Sequence, residues 1–189
     1  MSSFDTSEKN AEIGDAIEKV KSGDIQAYTF IVSRFQKPIF IYCFYLMKNQ
    51  QEAEDAAQDI FIKGLQNIHG FVPTVSFSAW LYKIAYNHCT DLLKKKSRNY
   101  KTYLKYKMNM KQDKTYQYSD YINELLDHLS LEEKQILLLR ALEEYSYDEI
   151  ADIMDLNPTT VRKKYERLRK KLIQKKGMSI YAKYADSGR

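Results

Sequence analysis

The sequence predicts an all-α protein of two small helical domains joined by a basic linker, and three observations carry that expectation. The 189 residues include six glycines and three prolines, and no stretch alternates apolar and polar residues as a half-buried strand would. Apolar residues instead recur three and four apart, the spacing that gathers them on one face of a helix. Charge, finally, is partitioned along the chain. The formal net charge of +5 conceals two basic blocks, 94–118 and 158–176, each with nine basic residues and one acidic residue. Between them, residues 119–157 carry two basic and eleven acidic groups, and residues 1–93 carry 8 and 11. Two such blocks are two places where a polyanion could be held, and the acidic stretches would face a different partner. For either block alone, a solvated lysine face is the competing explanation.

Taken in order, the helical pattern runs from Ile13 to about Met47 through Ala27, Phe30, Ile31, the Arg34 stem, Phe40, Ile41, Phe44 and Tyr45. It is punctuated at Ser22-Gly23-Asp24 and should break near Lys37-Pro38. A second helix spans about Gln51 to Asn67. The loop IHGFVPTVS, with Gly70 and Pro73, separates it from a helix over roughly Ser76 to Lys96. Residues 97–118 carry lysine and tyrosine with little apolar periodicity and read as an extended linker. The domains are therefore 1–96 and 119–176, and 177–189 is a tail.

The stretch YSYDEIADIMDLNPTTVRKKYERLRKKL, residues 145–172, is the most informative. Ser146 and Glu149 have the spacing of a capping box, which starts a helix. Ile150, Ile153 and Met154 then share a face, and Ala151 is small enough to let a second helix cross closely. Asn157 offers a new cap, and Pro158 occupies the first helical position, where its missing N–H costs nothing. Val161, Tyr165, Leu168 and Leu172 form the apolar stripe of the second helix. Thr159, Arg162, Lys163, Glu166, Arg167 and Lys170 point away from it. A small residue, a turn four residues on at Asp155 and a branched Val161 six later is helix-turn-helix spacing. Aspartate replaces the glycine often found at such a turn, and it too tolerates left-handed backbone angles. Arginine or lysine on the exposed face could donate to guanine, and glutamate could accept from cytosine.

In the N-terminal part, NQQEAEDAAQDIFIKGLQNI places Ala53, Ala57, Ile60 or Phe61, and Gly64 inward, with Glu52, Asp55 and Asp59 together outside. FSAWLYKIAYNHCTDLLKKKSR buries Phe77, Trp80, Leu81, Ile84, His88 and Leu92, and turns Lys83, Tyr86, Asn87, Thr90 and Lys94 the other way. A face of lysine, tyrosine and asparagine suits backbone contact and base stacking on opened DNA.

On these stretches the chain resembles the extracytoplasmic-function (ECF) group of bacterial sigma factors, the smallest members of the sigma-70 family. AEDAAQDIFIKGLQNI looks like their regions 2.1 to 2.2, FSAWLYKIAYNHCTDLLKKKSR like 2.3 and 2.4, and LSLEEKQILLLRALEEYSYDEIADIMDLNPTTVRKKYERLRKKL like region 4. Gly23-Asp24 and Phe30 match their start. The resemblance covers roughly residues 20–175 and implies a promoter-specificity subunit rather than an enzyme. Glu54, Asp55, Gln58 and Asp59 would meet the clamp helices of the largest subunit of core RNA polymerase. Lys83, Tyr86, Asn87, Thr90 and Lys94 would work on the minus-ten element of promoter DNA. The loop from Asn67 to Phe77 would receive an extruded base, with Asn67, His69 and Phe71 as candidates; for Phe71 a core role is equally open. Arg162, Lys163, Glu166 and Arg167 would read the minus-thirty-five element, with Thr159, Thr160 and Lys170 on phosphates. Region 4 would also lie against the flap of the second polymerase subunit, and the basic linker would follow the cleft. An anti-sigma factor is implied as a further partner.

The competing reading is a stand-alone helix-turn-helix regulator whose N-terminal helices dimerise or bind a small ligand. An enzyme is disfavoured by the lack of a phosphate-cradling glycine loop or nucleophile motif. His69, His88 and His128 are too scattered for a metal site, so no cofactor is expected. Cys43 and Cys89 sit far apart in apolar stretches without metal-ligand spacing and read as buried free thiols. No run of about 18 apolar residues occurs, and MSSFDTSEKNAEIGD is unlike a secretory signal, so the expected location is the cytoplasm.

Overall fold

The computed structural model describes the backbone of residues 3–103 and 126–186, and the side chains of 11–98 and 126–174. Among the described residues the regular structure is helical, with no strand. The chain divides into two units, Met1–Tyr116 and Gln117–Arg189.

The first unit contains α1 (Ser3–Lys21), a 3-10 turn (Ile25–Ala27), α2 (Tyr28–Met47), α3 (Gln50–Asn67), a second 3-10 turn (Ile68–Gly70) and α4 (Phe77–Tyr103). The expected punctuation after α1 is present. Gly23 takes φ +107°, a conformation that a Cβ would resist, and the Asp24 carboxylate accepts from the Gln26 amide at 3.1 Å.

The expected break at Pro38 does not occur, because α2 runs through it. An interior proline costs about 3 kcal/mol. Full burial of one large apolar side chain contributes about 1.5–3 kcal/mol, and α2 buries ten residues, so packing overrides the local penalty. Its inward register also differs from the sequence reading. Phe30 and Arg34 face outward and Phe40 and Ile41 are half-buried, while Ile31, Phe35, Ile39, Tyr42 and Cys43 fill the core.

Helix α2 closes on Lys48, whose left-handed backbone (φ 56°) lets its amide donate to the Phe44 carbonyl at 2.8 Å. Asn49 then caps α3 by accepting from the Glu52 amide at 2.9 Å. The buried face of α3 is Ala53, Ala56, Ala57, Ile60, Phe61 and Gly64, so both candidates at 60 and 61 point inward. Gly64 is there for a close approach: the Tyr28 hydroxyl donates to the Phe61 carbonyl at 2.8 Å, and a Cβ on Gly64 would lie 2.6 Å from that hydroxyl oxygen. Burial pushes the Tyr28 phenol up to about 12.

Helix α4 buries Phe77, Leu81 and His88 as expected, but Trp80, Ile84 and Leu92 are only half-buried. Ala79, Tyr82, Ala85 and Cys89 take the remaining inner positions, and the Tyr42 and Tyr82 rings meet edge-on at 5.4 Å. Instead of stopping near Lys96, the helix continues to Tyr103, since nothing from 77 to 103 is glycine or proline. The remainder of the expected linker, 104–118, and the expected start of the second domain at 119 lie outside the described residues.

In the second unit, Leu126 and Leu129 are buried ahead of α5 (Leu131–Ala141), α6 (Tyr147–Met154) and α7 (Pro158–Asp186). Ser130 and Glu133 form a full capping box on α5, and Ser146 and Glu149 form another on α6. The last helix does not end at Gly177; it runs on to Asp186 through the stretch read as a tail.

Candidate nucleic-acid interface

Helices α6 and α7 meet as the sequence spacing requires. Ile150, Ala151, Ile153 and Met154 are all buried, and so are Val161 and Leu168 of α7; Tyr165 and Leu172 are half-buried. The turn between them rests on Asp155, whose φ of 53° is left-handed and whose amide donates to the Ala151 carbonyl. The Leu156 amide donates to the same carbonyl at 2.9 Å. Asn157 then caps α7, its side-chain oxygen accepting from the Thr159 amide at 2.9 Å and from the Thr159 hydroxyl.

With the turn fixed, Thr159, Arg162, Lys163, Glu166, Arg167 and Lys170 are exposed along one side of α7, and Thr160 is half-buried. Lys164 and Lys171 point elsewhere. Lys164 pairs with Glu132 at 2.7 Å and Lys171 with Glu133 at 3.3 Å, bracing α7 against α5. The Ser130 amide, with Lys171 helping, holds the Glu133 carboxyl below its usual range. Sequence reasoning missed Tyr147, the residue that organises this corner. Its ring packs on Tyr165 at 5.9 Å, and the guanidinium groups of Arg140 and Arg162 lie 5.1 and 5.3 Å from its centroid. Arg162 is thus partly held in place by the Tyr147 ring.

In the first unit, the candidate polymerase-binding residues share α3. Asp55, Gln58 and Asp59 are exposed and Glu54 is half-buried. They are not equivalent. Glu54 accepts from Gln50 at 2.7 Å and Asp55 from Gln51 at 3.3 Å, along the helix itself. Asp59 leans toward α4, where its carboxylate is 3.4 Å from His88 Nε2. On the other side of that ring, Lys63 Nζ stands 2.6 Å from Nδ1. An ammonium only donates, so Nδ1 accepts and Nε2 carries the hydrogen facing Asp59. Burial first, and then Lys63, hold the His88 pKa below its ordinary value against the pull of Asp59 and Asp91. Glu52, expected beside Asp55 and Asp59, is instead taken by Lys96 at 2.8 Å.

The minus-ten candidates lie along α4: Lys83, Tyr86 and Thr90 half-buried, Asn87 and Lys94 exposed. The loop candidates separate. His69 is exposed, and so is Asn67, whose side-chain amide donates to the Lys63 carbonyl at 2.8 Å. Phe71 is buried, packed on Phe77 at 5.3 Å and on Trp80 at 5.5 Å, with Lys21 donating to its carbonyl at 3.1 Å. In this conformation Phe71 is a core ring. Among the described residues no three metal-ligating side chains cluster, and no helix is long and apolar enough to cross a membrane.

A helical unit with an acidic helix beside a basic-aromatic one, in the same chain as a helix-turn-helix, has the make-up of a DNA-binding protein. Residues 31–99 match the family described as Sigma-70 region 2, and residues 119–172 match Sigma-70, region 4. These matches span more than half of the chain, and the chain belongs to the sigma-70 family as an ECF-type RNA polymerase sigma factor. It is 29% identical to the ECF RNA polymerase sigma factor SigW of Bacillus subtilis over 174 residues, covering 82% of this chain and 92% of that one. To the ECF RNA polymerase sigma-E factor of Haemophilus influenzae it is 28% identical over 176 residues, covering 84% and 92%. In fold it is similar to the sigma factor RpoE of Bartonella quintana, solved in complex with the anti-sigma factor NepR (TM-score 0.69, 19% identity, 79% of this chain and 96% of that one). It is also similar to CnrH in complex with the cytosolic domain of CnrY (TM-score 0.64, 19% identity, 92% and 97%).

Proposed function

We propose that this sigma factor docks on core RNA polymerase through the outer face of α3 and holds promoter DNA in two places, through α4 and α7. The observation that carries the reading is the pairing of opposite faces within one chain: an acidic one on α3 (Glu54, Asp55, Gln58, Asp59) and a basic one on α7 (Arg162, Lys163, Arg167, Lys170). Polyanionic DNA would repel the first and attract the second, so the acidic helix suits a protein partner. Residues 1–96 are the polymerase-binding and minus-ten unit, 119–176 the minus-thirty-five unit, with region 4 against the flap of the second subunit.

On α7, Arg162, Lys163, Glu166 and Arg167 read base edges while Thr159, Thr160 and Lys170 contact phosphates. On α4, Lys83, Tyr86, Asn87, Thr90 and Lys94 meet the minus-ten region, and the exposed Asn67 and His69 are better placed than Phe71 to receive an extruded base. The chain acts by binding, in the cytoplasm, without catalysis of its own. An anti-sigma factor is a fitting further partner, since RpoE of Bartonella quintana, similar in fold, was solved with one. A pull-down with core polymerase tests the reading. A stable complex is expected; failure to bind core, with sequence-specific DNA binding by the chain alone, would favour the stand-alone regulator instead.

A further inference from the structure

Cys43 and Cys89 are 46 positions apart, yet the packing of α2 against α4 brings their Sγ atoms to 3.8 Å in a fully buried site. They are the chain's only two cysteines. Neither lies on α3 or α7, so neither is needed for the polymerase or the minus-thirty-five contacts. Two small apolar residues would fill the same space; what the thiols add is mutual contact. A disulfide needs sulfurs about 2.05 Å apart, so closing the pair from 3.8 Å requires the two sulfurs to move together.

We propose that Cys43 and Cys89 form a redox-active dithiol that closes to an internal disulfide under hydroperoxide stress and braces the first unit by tying α2 to α4. One thiolate attacks the peroxide, becoming a sulfenic acid and releasing one molecule of water or alcohol. The second sulfur then attacks the sulfenic sulfur, the S–S bond forms, and the hydroxyl leaves as water with the remaining thiol proton. The two electrons lost by the sulfurs reduce the peroxide O–O bond, and a dithiol reductant reverses the change. In a reducing compartment such a pair rests as thiols and serves as a transient sensor rather than a permanent staple.

The resting pair is slow to react. Contact with Cys89 and then burial hold the Cys43 thiol well above its usual range, and a protonated thiol is a poor nucleophile. Reaction therefore waits on transient opening between α2 and α4, which tunes the site to sustained rather than brief oxidation. Once closed, the bond ties residues 43 and 89 together in the unfolded chain as well, removing entropy from that state and stabilising the fold.

The test uses the full chain exposed to hydrogen peroxide, then denatured for thiol counting and intact-mass measurement. Expected are loss of both free thiols, a mass lower by two hydrogens, a monomer on a non-reducing gel, and reversal by dithiothreitol. The oxidised chain should also unfold its first unit at a temperature higher by on the order of 10 °C. Cys43→Ala and Cys89→Ala should each abolish the two-hydrogen loss, and the wild-type mass stands as evidence if either variant folds poorly. Oxygen adducts without a cross-link, disulfide-linked dimers, or thiols that persist would overturn the proposal, as would a disulfide that leaves the unfolding temperature unchanged.

Discussion

Arg162, a proposed base-reading residue, is held by a neighbouring ring. Its guanidinium sits 5.3 Å from the Tyr147 ring centroid and on the exposed side of α7, a contact that favours one placement of the side chain. Alanine at Arg162, Lys163 or Arg167 should each cost about 1–3 kcal/mol in promoter binding by the holoenzyme and relax selectivity at one position. Binding measured across promoter variants checks this, and equal weakening on every sequence would assign them to phosphates. Gly64 makes a second case. Alanine would gain roughly 0.5–1 kcal/mol of helix propensity, but its Cβ would meet the Tyr28 hydroxyl at 2.6 Å, at a cost of about 1–3 kcal/mol. Gly64→Ala should therefore lower the unfolding temperature, and in a Tyr28→Phe background, which removes the hydroxyl, the loss should largely vanish.

At the scale of elements, α3 and α4 are coupled through the Lys63–His88–Asp59 contact. Because burial lowers the pKa of His88 below the ordinary imidazole value of 6.5, the unfolded chain binds the proton more readily than the folded one. The stability that keeping this imidazole neutral contributes to the first unit should be fully present above that value and be lost as pH falls through it toward the folded pKa. Unfolding temperature measured from neutral to mildly acidic pH should show the decline, and His88→Asn should flatten it. The proposed polymerase face is best probed at Asp55, since Asp59 also touches His88. Asp55→Lys should weaken core polymerase binding and reduce its salt sensitivity; unchanged affinity would remove Asp55 from that interface.

What was legible at this scale was local. Ser146, Asp155 and Asn157 act on backbone groups two to four residues away and Pro158 lacks the N–H that a first helical position leaves unused, so the helix-turn-helix could be read directly. Features set by distant packing could not be read that way. Pro38 stays helical because its neighbours are buried, Phe71 turns inward because Phe77 and Trp80 await it, and Cys43 meets Cys89 only once α2 lies on α4. The Ser130–Glu133 box was equally open to a sequence reading through its S-x-x-E spacing.

For the whole molecule, the proposed reading gives the acidic face of α3 and the basic face of α7 different partners. The Asp55 and Arg162 substitutions should therefore be separable in the holoenzyme. The first should reduce assembly with core at every promoter, and the second should leave assembly intact while weakening recognition of the minus-thirty-five element. The most direct measurement is transcription in vitro by core RNA polymerase on genomic DNA, with and without this chain, followed by mapping of transcript starts. The chain should switch on a discrete set of starts that share two upstream elements at fixed spacing. Starts that are unchanged by adding the chain, under conditions where it co-purifies with core, would contradict its role as a promoter-specificity subunit.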